Sequence, residues 1–286
     1  MAVPTAVITS RTNSRVKQLR AAFSKGPGYD GDLVAIEGEH LVHEALRSRI
    51  TPQALFLTPT YPLPPDLSRQ TEVIRLAEDV FSSAVETRTP QGIAALIQRP
   101  SWELNEIVQK PAALLLILVG LQDPGNMGTL IRSAEAFGAT GVLTTPGTVS
   151  EWNQKALRAS VGSTFRMPIL PVGEKEIVDL WNRGIHLYAA VGQHETALPA
   201  RDVDLRQPSA IMIGNEGAGL SDNWIRLSTK QITIPCPGPV ESLNAAVAGS
   251  LLLYEASRQR SVTVRNGDPL GHIPNTQPRR PTGAAR

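Results

Sequence analysis

A single cysteine, Cys236, stands among 286 residues, which excludes an internal disulfide and any cysteine-rich metal site. Aromatic residues are few, and no apolar run reaches the roughly 18 residues that a membrane helix needs. The N-terminus lacks the charged-then-apolar pattern of a secretory signal, so the expectation is a cytoplasmic protein with no membrane partner. The five histidines, His40, His43, His186, His194 and His272, show no metal-ligand spacing beyond a loose His40/His43 pair, read as solvated surface, and no metal is expected. Nucleotide fingerprints are missing too: there is no G-x-x-x-x-G-K-[ST], and the glycines of 214–219 are wrongly spaced for G-x-G-x-x-G. Neither a serine–histidine–acid set nor a catalytic carboxylate pair is apparent.

Net charge is only +2, but it is unevenly spread. Residues 1–25 hold Arg11, Arg15, Lys17, Arg20 and Lys25 with no acid, and residues 258–286 hold six arginines against Asp268. Each end therefore carries +5, which leaves −8 for residues 26–257. Basic ends on an acidic body suit an anionic polymer met by the extremities, although solvated tails are often basic as well.

What the chain does have is one organising stretch, 114–132. It begins as an unbroken apolar run, typical of a strand buried on both faces. A loop with Asp123, Pro124, Gly125, Asn126 and Gly128 follows, then a helix to Phe137 with Met127, Leu130, Ile131 and Ala134 on one face and Arg132 and Glu135 off it. Gly138 is placed to end it. Strand, tight loop and helix predict a parallel α/β sheet, whose ligands bind at the carboxyl ends of strands.

The length allows one large or two modest domains. A small α/β domain is expected over 1–100. It comprises a flexible lead (1–12), a basic helix from Ser14 broken at Gly26-Pro27-Gly28, strands near 33–36, 54–57, 73–76 and 93–97, and a helix over 41–46. Residues 101–111 show no clear pattern and are read as a linker. The second domain, 112–260, continues with strands at 142–144, 168–170, 185–191, 210–213 and 232–234 and helices at 152–160 and around 177–181. A helix start is expected at Ser221, and a last helix opens at 242–244. That last helix is apolar nearly all round, as in helices buried on more than one side, and a subunit interface is expected there. Residues 261–286, rich in Pro, Gly and Arg, are expected to be disordered.

Three strands end in loops of similar character, 120–128, 214–219 and 235–244, and a parallel sheet would gather them at one edge. They present Asn126, Arg132, Asn215, Glu216, Ser242 and Asn244. Singly each is ordinary: Arg132 a solvated helix residue, Ser242 an N-cap, Asn244 a first-turn residue. Their recurrence at three strand ends is what suggests a shared site.

The words Asn126-Met-Gly-Thr-Leu-Ile-Arg132, Ile213-Gly-Asn-Glu-Gly-Ala-Gly-Leu220 and Ile234-Pro235…Ser242-Leu-Asn-Ala-Ala-Val-Ala248 resemble the three ordered motifs of the SpoU (TrmH-like) ribose 2′-O-methyltransferases of the SPOUT superfamily. Looser matches at Asn13-Ser-Arg-Val-Lys17, Ile36-Glu-Gly38…Val42-His-Glu-Ala-Leu46 and Thr89-Pro-Gln-Gly-Ile93 resemble that family's RNA-binding domain, itself similar to a small ribosomal protein. The resemblance implies a C-terminal parallel-sheet domain with a deep trefoil knot, a rare exception to unknotted topology. It also implies S-adenosylmethionine as methyl donor, ribosomal RNA ahead of transfer RNA as substrate, and a homodimer formed through the knotted region. By the same resemblance Asn126, Arg132, Glu216, Ser242 and Asn244 are catalytic. Gly192, Gly214, Asn215, Glu216, Gly217, Ile234, Pro235, Ser242, Leu243 and Asn244 hold the cofactor, and Arg11, Arg15, Lys17, Asn126 and Arg132 meet RNA. Cys236 stands where that family commonly has methionine and is read as a small buried apolar residue, and Pro237 and Pro239 are extra prolines in the third loop. A catalytically silent RNA-binding protein and an α/β nucleotide-binding regulator remain alternatives.

Overall fold

In the computed structural model, which describes residues 6–25, 32–193, 195–240 and 242–265, the chain builds two sheets. The first uses β1 (Val7–Ile8), β2 (Leu33–Glu37), β3 (Ala54–Leu57), β4 (Glu72–Leu76) and β5 (Ile93–Gln98), in the order β1-β4-β3-β5-β2. β1, β4 and β3 are parallel, and β5 runs antiparallel to both β3 and β2. Helices α1 (Ser14–Lys25) and α3 (Glu78–Ala84) cover one face, where Val16, Leu19, Val80 and Phe81 pack on Phe56 and Leu96. Helix α2 (Glu39–Arg47) covers the other, and Trp152, Leu157 and Phe165 from the second half of the chain join the same apolar cluster. The two halves therefore share a core.

The lead is not wholly free, because Val7–Ile8 pairs with Arg75–Leu76. A two-residue strand has no period to detect, and its partner lies far along the chain. The stretch read as a linker contains α4 (Leu104–Val108), whose Ile107 is buried against Gly141.

The second sheet is parallel throughout. It contains β6 (Leu114–Leu118), β7 (Gly141–Thr144), β8 (Ile169–Pro171), β9 (His186–Ala190), β10 (Leu198–Pro199), β11 (Ser209–Ile213) and β12 (Lys230–Thr233), in the order β10-β12-β9-β11-β6-β7-β8. Side chains alternate across β6 as a strand requires. Leu114, Leu116 and Leu118 enter the core beneath α5 (Pro124–Ala136) and α9 (Ala245–Arg265). Leu115 and Ile117 enter the core beneath α7 (Glu174–Asn182) and α8 (Asp222–Leu227). Between β7 and β8, α6 (Gln154–Ser160) lies against α5. β6 has β7 on one side and β11 on the other, so the chain reverses its direction of travel across the sheet at β6, the place where open parallel sheets form a crevice.

Helix α5 starts at Pro124, inside the stretch expected to be loop through Gly128, because the Asp123 side chain accepts the backbone N–H of Asn126 at 2.8 Å, with Pro124 in the first turn. Helix α9 differs from expectation in two ways. It continues through Arg265, five residues into the stretch expected to be disordered, while 266–286 lie outside the described residues, as do Gly26-Pro27-Gly28. It is also buried on one side only: Ala246, Leu252, Leu253 and Ala256 are inside, whereas Val247, Leu251 and Tyr254 are exposed. An all-round apolar sequence does not distinguish burial within the chain from a face left open. Among the described residues, no helix is long and apolar enough to cross a membrane, and no cluster of His, Cys, Asp or Glu is arranged to hold a metal ion.

Candidate active site

The three strand-end loops meet, and Glu216 is the hub. One oxygen of its carboxylate accepts the backbone N–H of Asp123 and the side-chain N–H of Asn126, both at 3.0 Å. The other accepts the backbone N–H of Gln122 at 3.2 Å. Asn126 completes the chain of contacts, its Oδ1 accepting from Asn244 Nδ2 at 3.1 Å. The first, second and third loops are thus joined through side chains 90 and 118 residues apart in sequence. Desolvation pushes the Glu216 carboxyl up, but the hydrogen bonds from Asn126 and the backbone outweigh it and hold its pKa below the ordinary value of 4.5. Glu216 is therefore an ionised acceptor that fixes Asn126.

Each loop has its own support. Asn215 spends its side chain locally: Oδ1 accepts the N–H groups of Gly217 and Ala218 at 2.9 and 3.1 Å, and Nδ2 donates to the Gly120 carbonyl at 2.9 Å. Gly214 has no room for a side chain, since a Cβ there would lie 2.3 Å from the Gly219 carbonyl carbon. Asn244 caps α9 by accepting the N–H groups of Ala246 and Val247 at 2.9 and 3.2 Å. The helix cap is thus Asn244, not Ser242.

Beside this network lies a cavity of about 290 Å³ at the carboxyl ends of β9, β11 and β12. Ile213, Ile234, Leu243 and Leu252 give it apolar walls, and Gly192 and Gly214 bring backbone close. Of the residues expected to hold a cofactor, Gly192, Gly214, Asn215, Glu216, Gly217, Ile234, Ser242 and Leu243 line it. Pro235 instead borders a shallower depression with Gln193, Glu195 and Thr233, and Asn244 stays in the network outside the wall. Cys236 is half-buried and lines the cavity rather than filling a core. The described lining has no basic side chain and one acidic one, Glu216, which suits an uncharged or cationic ligand and not a phosphorylated one.

Arg132 does not join this group. It is exposed on α5, six residues or about 9 Å along the axis from Asn126, and makes no ion pair among the described residues. Arg11 and Arg15 form ion pairs with Asp79 and Glu72, while Lys17 is exposed and unpaired among the described residues. All three belong to α1 or the turn before it, and α1 packs on the sheet face opposite the one that meets the second half of the chain. The sequence reading missed Asp123, which caps α5 and pairs with Lys155 at 3.0 Å; Asp before Pro at a helix start was the available signal. Gln193 also escaped it, and its Nε2 donates to the Cys236 carbonyl at 2.9 Å, bridging two strand ends.

A parallel α/β sheet with an apolar strand-end cavity and an oriented amide–carboxylate network at its mouth defines a protein of the α/β class that binds a small ligand at its strand ends. The SpoU rRNA Methylase family model matches residues 113–254, and that of an MRM3-like substrate binding domain matches residues 13–95. The 23S rRNA (guanosine(2553)-2′-O)-methyltransferase RlmP of Bacillus subtilis is 34% identical, over 86% of this chain and 97% of its own. The crystal structure of the SpoU methyltransferase AviRb from Streptomyces viridochromogenes with AdoMet superposes with a TM-score of 0.76 at 29% identity, covering 87% of this chain and 98% of that one. The AdoMet-bound rRNA methyltransferase of Sinorhizobium meliloti gives 0.77 at 27% identity, covering 88% and 97%. The chain belongs to the SpoU rRNA methylase family.

Proposed function

We propose that this protein transfers a methyl group from S-adenosylmethionine to a ribose 2′-hydroxyl of ribosomal RNA. The observation that carries the reading is the Asn126–Glu216–Asn244 network at the mouth of a cavity that has apolar walls, close backbone and no basic side chain in its described lining. Those features fit the cofactor: a purine suits apolar walls edged by backbone groups, and a sulfonium is tolerated beside one carboxylate. Gly192, Gly214, Ile234 and Leu243 would hold the adenosine, with Ser242 and Gly217 at the rim. When bound, the cofactor supplies a methyl group on positively charged sulfur. The chain supplies position: Glu216 fixes the Asn126 carboxamide, and Asn126 and Asn244 together orient the ribose.

A ribose hydroxyl must lose its proton as it attacks. Arg132 is not the acceptor, because a guanidinium offers donors and no acceptor lone pair. Its role is to grip an RNA phosphate through its planar fork, and the proton leaves through a phosphate oxygen or water held nearby. Arg132→Lys at full activity with an unchanged pH profile would remove the fork from this account.

The domain plan of substrate domain (1–100), connection (101–111), methyltransferase domain (112–260) and basic tail (261–286) follows from the same reading, with Arg11, Arg15 and Lys17 as further RNA contacts. The protein acts as a homodimer through α9, where Val247, Leu251 and Tyr254 at i, i+4 and i+7 form an apolar stripe 43–52% exposed. The passage of the chain from β12 to α9, which packs on α5 and β11, supports the knotted path. The compartment is the cytoplasm, where such a substrate is made. Labelled methyl transfer to unmodified 23S ribosomal RNA and, separately, to bulk transfer RNA tests the proposal. Alkali-resistant label in ribosomal RNA, lost with Arg132→Ala, is the expected result. Label confined to transfer RNA overturns the substrate, and absence of cofactor binding overturns the chemistry.

A further inference from the structure

Helix α6 touches both the first half of the chain and the helix carrying Asn126 and Arg132. Gln154 Nε2 donates to the Ala35 carbonyl of β2 at 2.8 Å, and Trp152 and Leu157 enter the first half's core. On the other side α6 runs alongside α5 in the same direction. A Cβ on Gly125 would lie 3.4 Å from Lys155 Cε, and one on Gly128 would lie 2.3 Å from the Ala156 carbonyl and 2.6 Å from Ala159 Cβ. Lys155 therefore lies across the first turn of α5, beside Asn126. Arg158 follows Lys155 by one turn on α6, and Arg132 follows Gly128 by one turn on α5, so the three cations lie along adjoining shoulders of one helix pair.

The charge balance singles out this ridge. Residues 123–166 hold four cations and three acids, a net +1, so the remainder of the −8 body sums to −9. Two of the three acids are already engaged, Asp123 with Lys155 and Glu135 with Arg166, and the third, Glu151, is half-buried. Arg166 is in turn held by Glu135 and by Glu44 of α2. Arg132 and Arg158 are exposed without an ion pair among the described residues. They face solvent in a stretch, 26–257, that is otherwise acidic.

We propose that Lys155 and Arg158 of α6, continuing onto Arg132 of α5, form a track for the phosphodiester backbone of the substrate RNA between the substrate-binding domain and the Asn126–Glu216–Asn244 network. The proposal rests on the reading of the chain as an RNA ribose methyltransferase. Each phosphate contact releases condensed counterions, so a track shows itself in the salt dependence of binding.

The test is the affinity of the full-length protein for transcribed 23S ribosomal RNA between 50 and 200 mM NaCl, for wild type, Arg158→Ala, Arg158→Lys and Lys155→Ala. Arg158 is exposed and has no ion pair to lose, so its truncation leaves the fold intact, and adenosylmethionine binding serves as the check. Arg158→Ala and Lys155→Ala are each expected to lower the slope of log affinity against log salt by about 0.7 to 0.9. Affinity at 100 mM falls about 3- to 10-fold, Arg158→Lys restores the slope, and the kinetic loss reads in KM for RNA more than in kcat. Wild-type slopes and affinities in both alanine variants overturn the track while leaving the proposed activity standing. Wild-type protein that binds RNA without salt dependence, or not at all, overturns the RNA reading itself and the track with it.

Discussion

Replacing Glu216 separates its role as an acceptor from its role as a charge. Its carboxylate accepts three N–H groups, two on one oxygen at 3.0 Å and one on the other at 3.2 Å. Charge-assisted hydrogen bonds contribute about 1.5–3 kcal/mol when shielded. Glu216 is exposed, so about 0.5 kcal/mol each is the appropriate scale, near 1.5 kcal/mol for the set. Glu216→Ala then lowers the equilibrium constant for docking the first and second loops by about tenfold. Glu216→Gln keeps the oxygen that serves Asp123 and Asn126 and turns an amide N–H₂ toward the Gln122 N–H, losing one bond of three and about threefold in activity. Single-turnover methyl transfer at saturating cofactor and RNA reads both. The expected order is Glu, then Gln, then Ala. Equal losses in Gln and Ala would refute the reasoning, because the negative charge and not the pattern of acceptors would then be what matters.

Asn244 offers a second separation: Asn244→Ala loses the α9 cap, about 1 kcal/mol, together with the bond to Asn126, whereas Asn244→Asp keeps the cap and loses the donor. Thermal denaturation is expected to recover in the aspartate variant and methyl transfer is not. Gly128→Ala gains about 1 kcal/mol of helix propensity but drives a Cβ to 2.3 Å from the Ala156 carbonyl, an overpacking penalty at the upper end of roughly 1–3 kcal/mol. Urea denaturation is expected to show net loss of stability. The folded pKa of Glu216 lies below its ordinary 4.5, so its contribution is fully present above pH 4.5 and is lost as pH falls through the folded value. Thermal midpoints of wild type and Glu216→Gln are expected to converge on acidification over that window, and a constant gap between them contradicts the assignment.

How much of this was legible in the sequence varies with range. Helix α5 was readable because its signals are local, Gly138 at its end and buried positions 127, 130, 131 and 134 within it, whereas its first turn was hidden by the loop-like run Asp123-Pro124-Gly125-Asn126. Helix α3 was missed although Val80, Phe81 and Ala84 have helical spacing, because seven residues leave room for only two turns of pattern. In α4, Leu104, Ile107 and Val108 show the same spacing and the same brevity. Two cap candidates two residues apart, Ser242 and Asn244, are equivalent to any propensity argument, and only the path of the third loop decides between them.

The site was legible as a set of loops and not as a network. Parallel strands imply that their ends share an edge, which is enough to gather 120–128, 214–219 and 235–244. Which side chains touch is decided by loop conformation: the Asn215 turn delivers Glu216 to the start of α5, and six further residues of helix carry Arg132 away from it. A motif written as one word, from Asn126 to Arg132, is thus divided in space between a residue oriented by the cavity's mouth and a cation presented to solvent. That division is what chemistry on a polymer requires, since one group must fix a single ribose while the other grips the backbone that arrives with it.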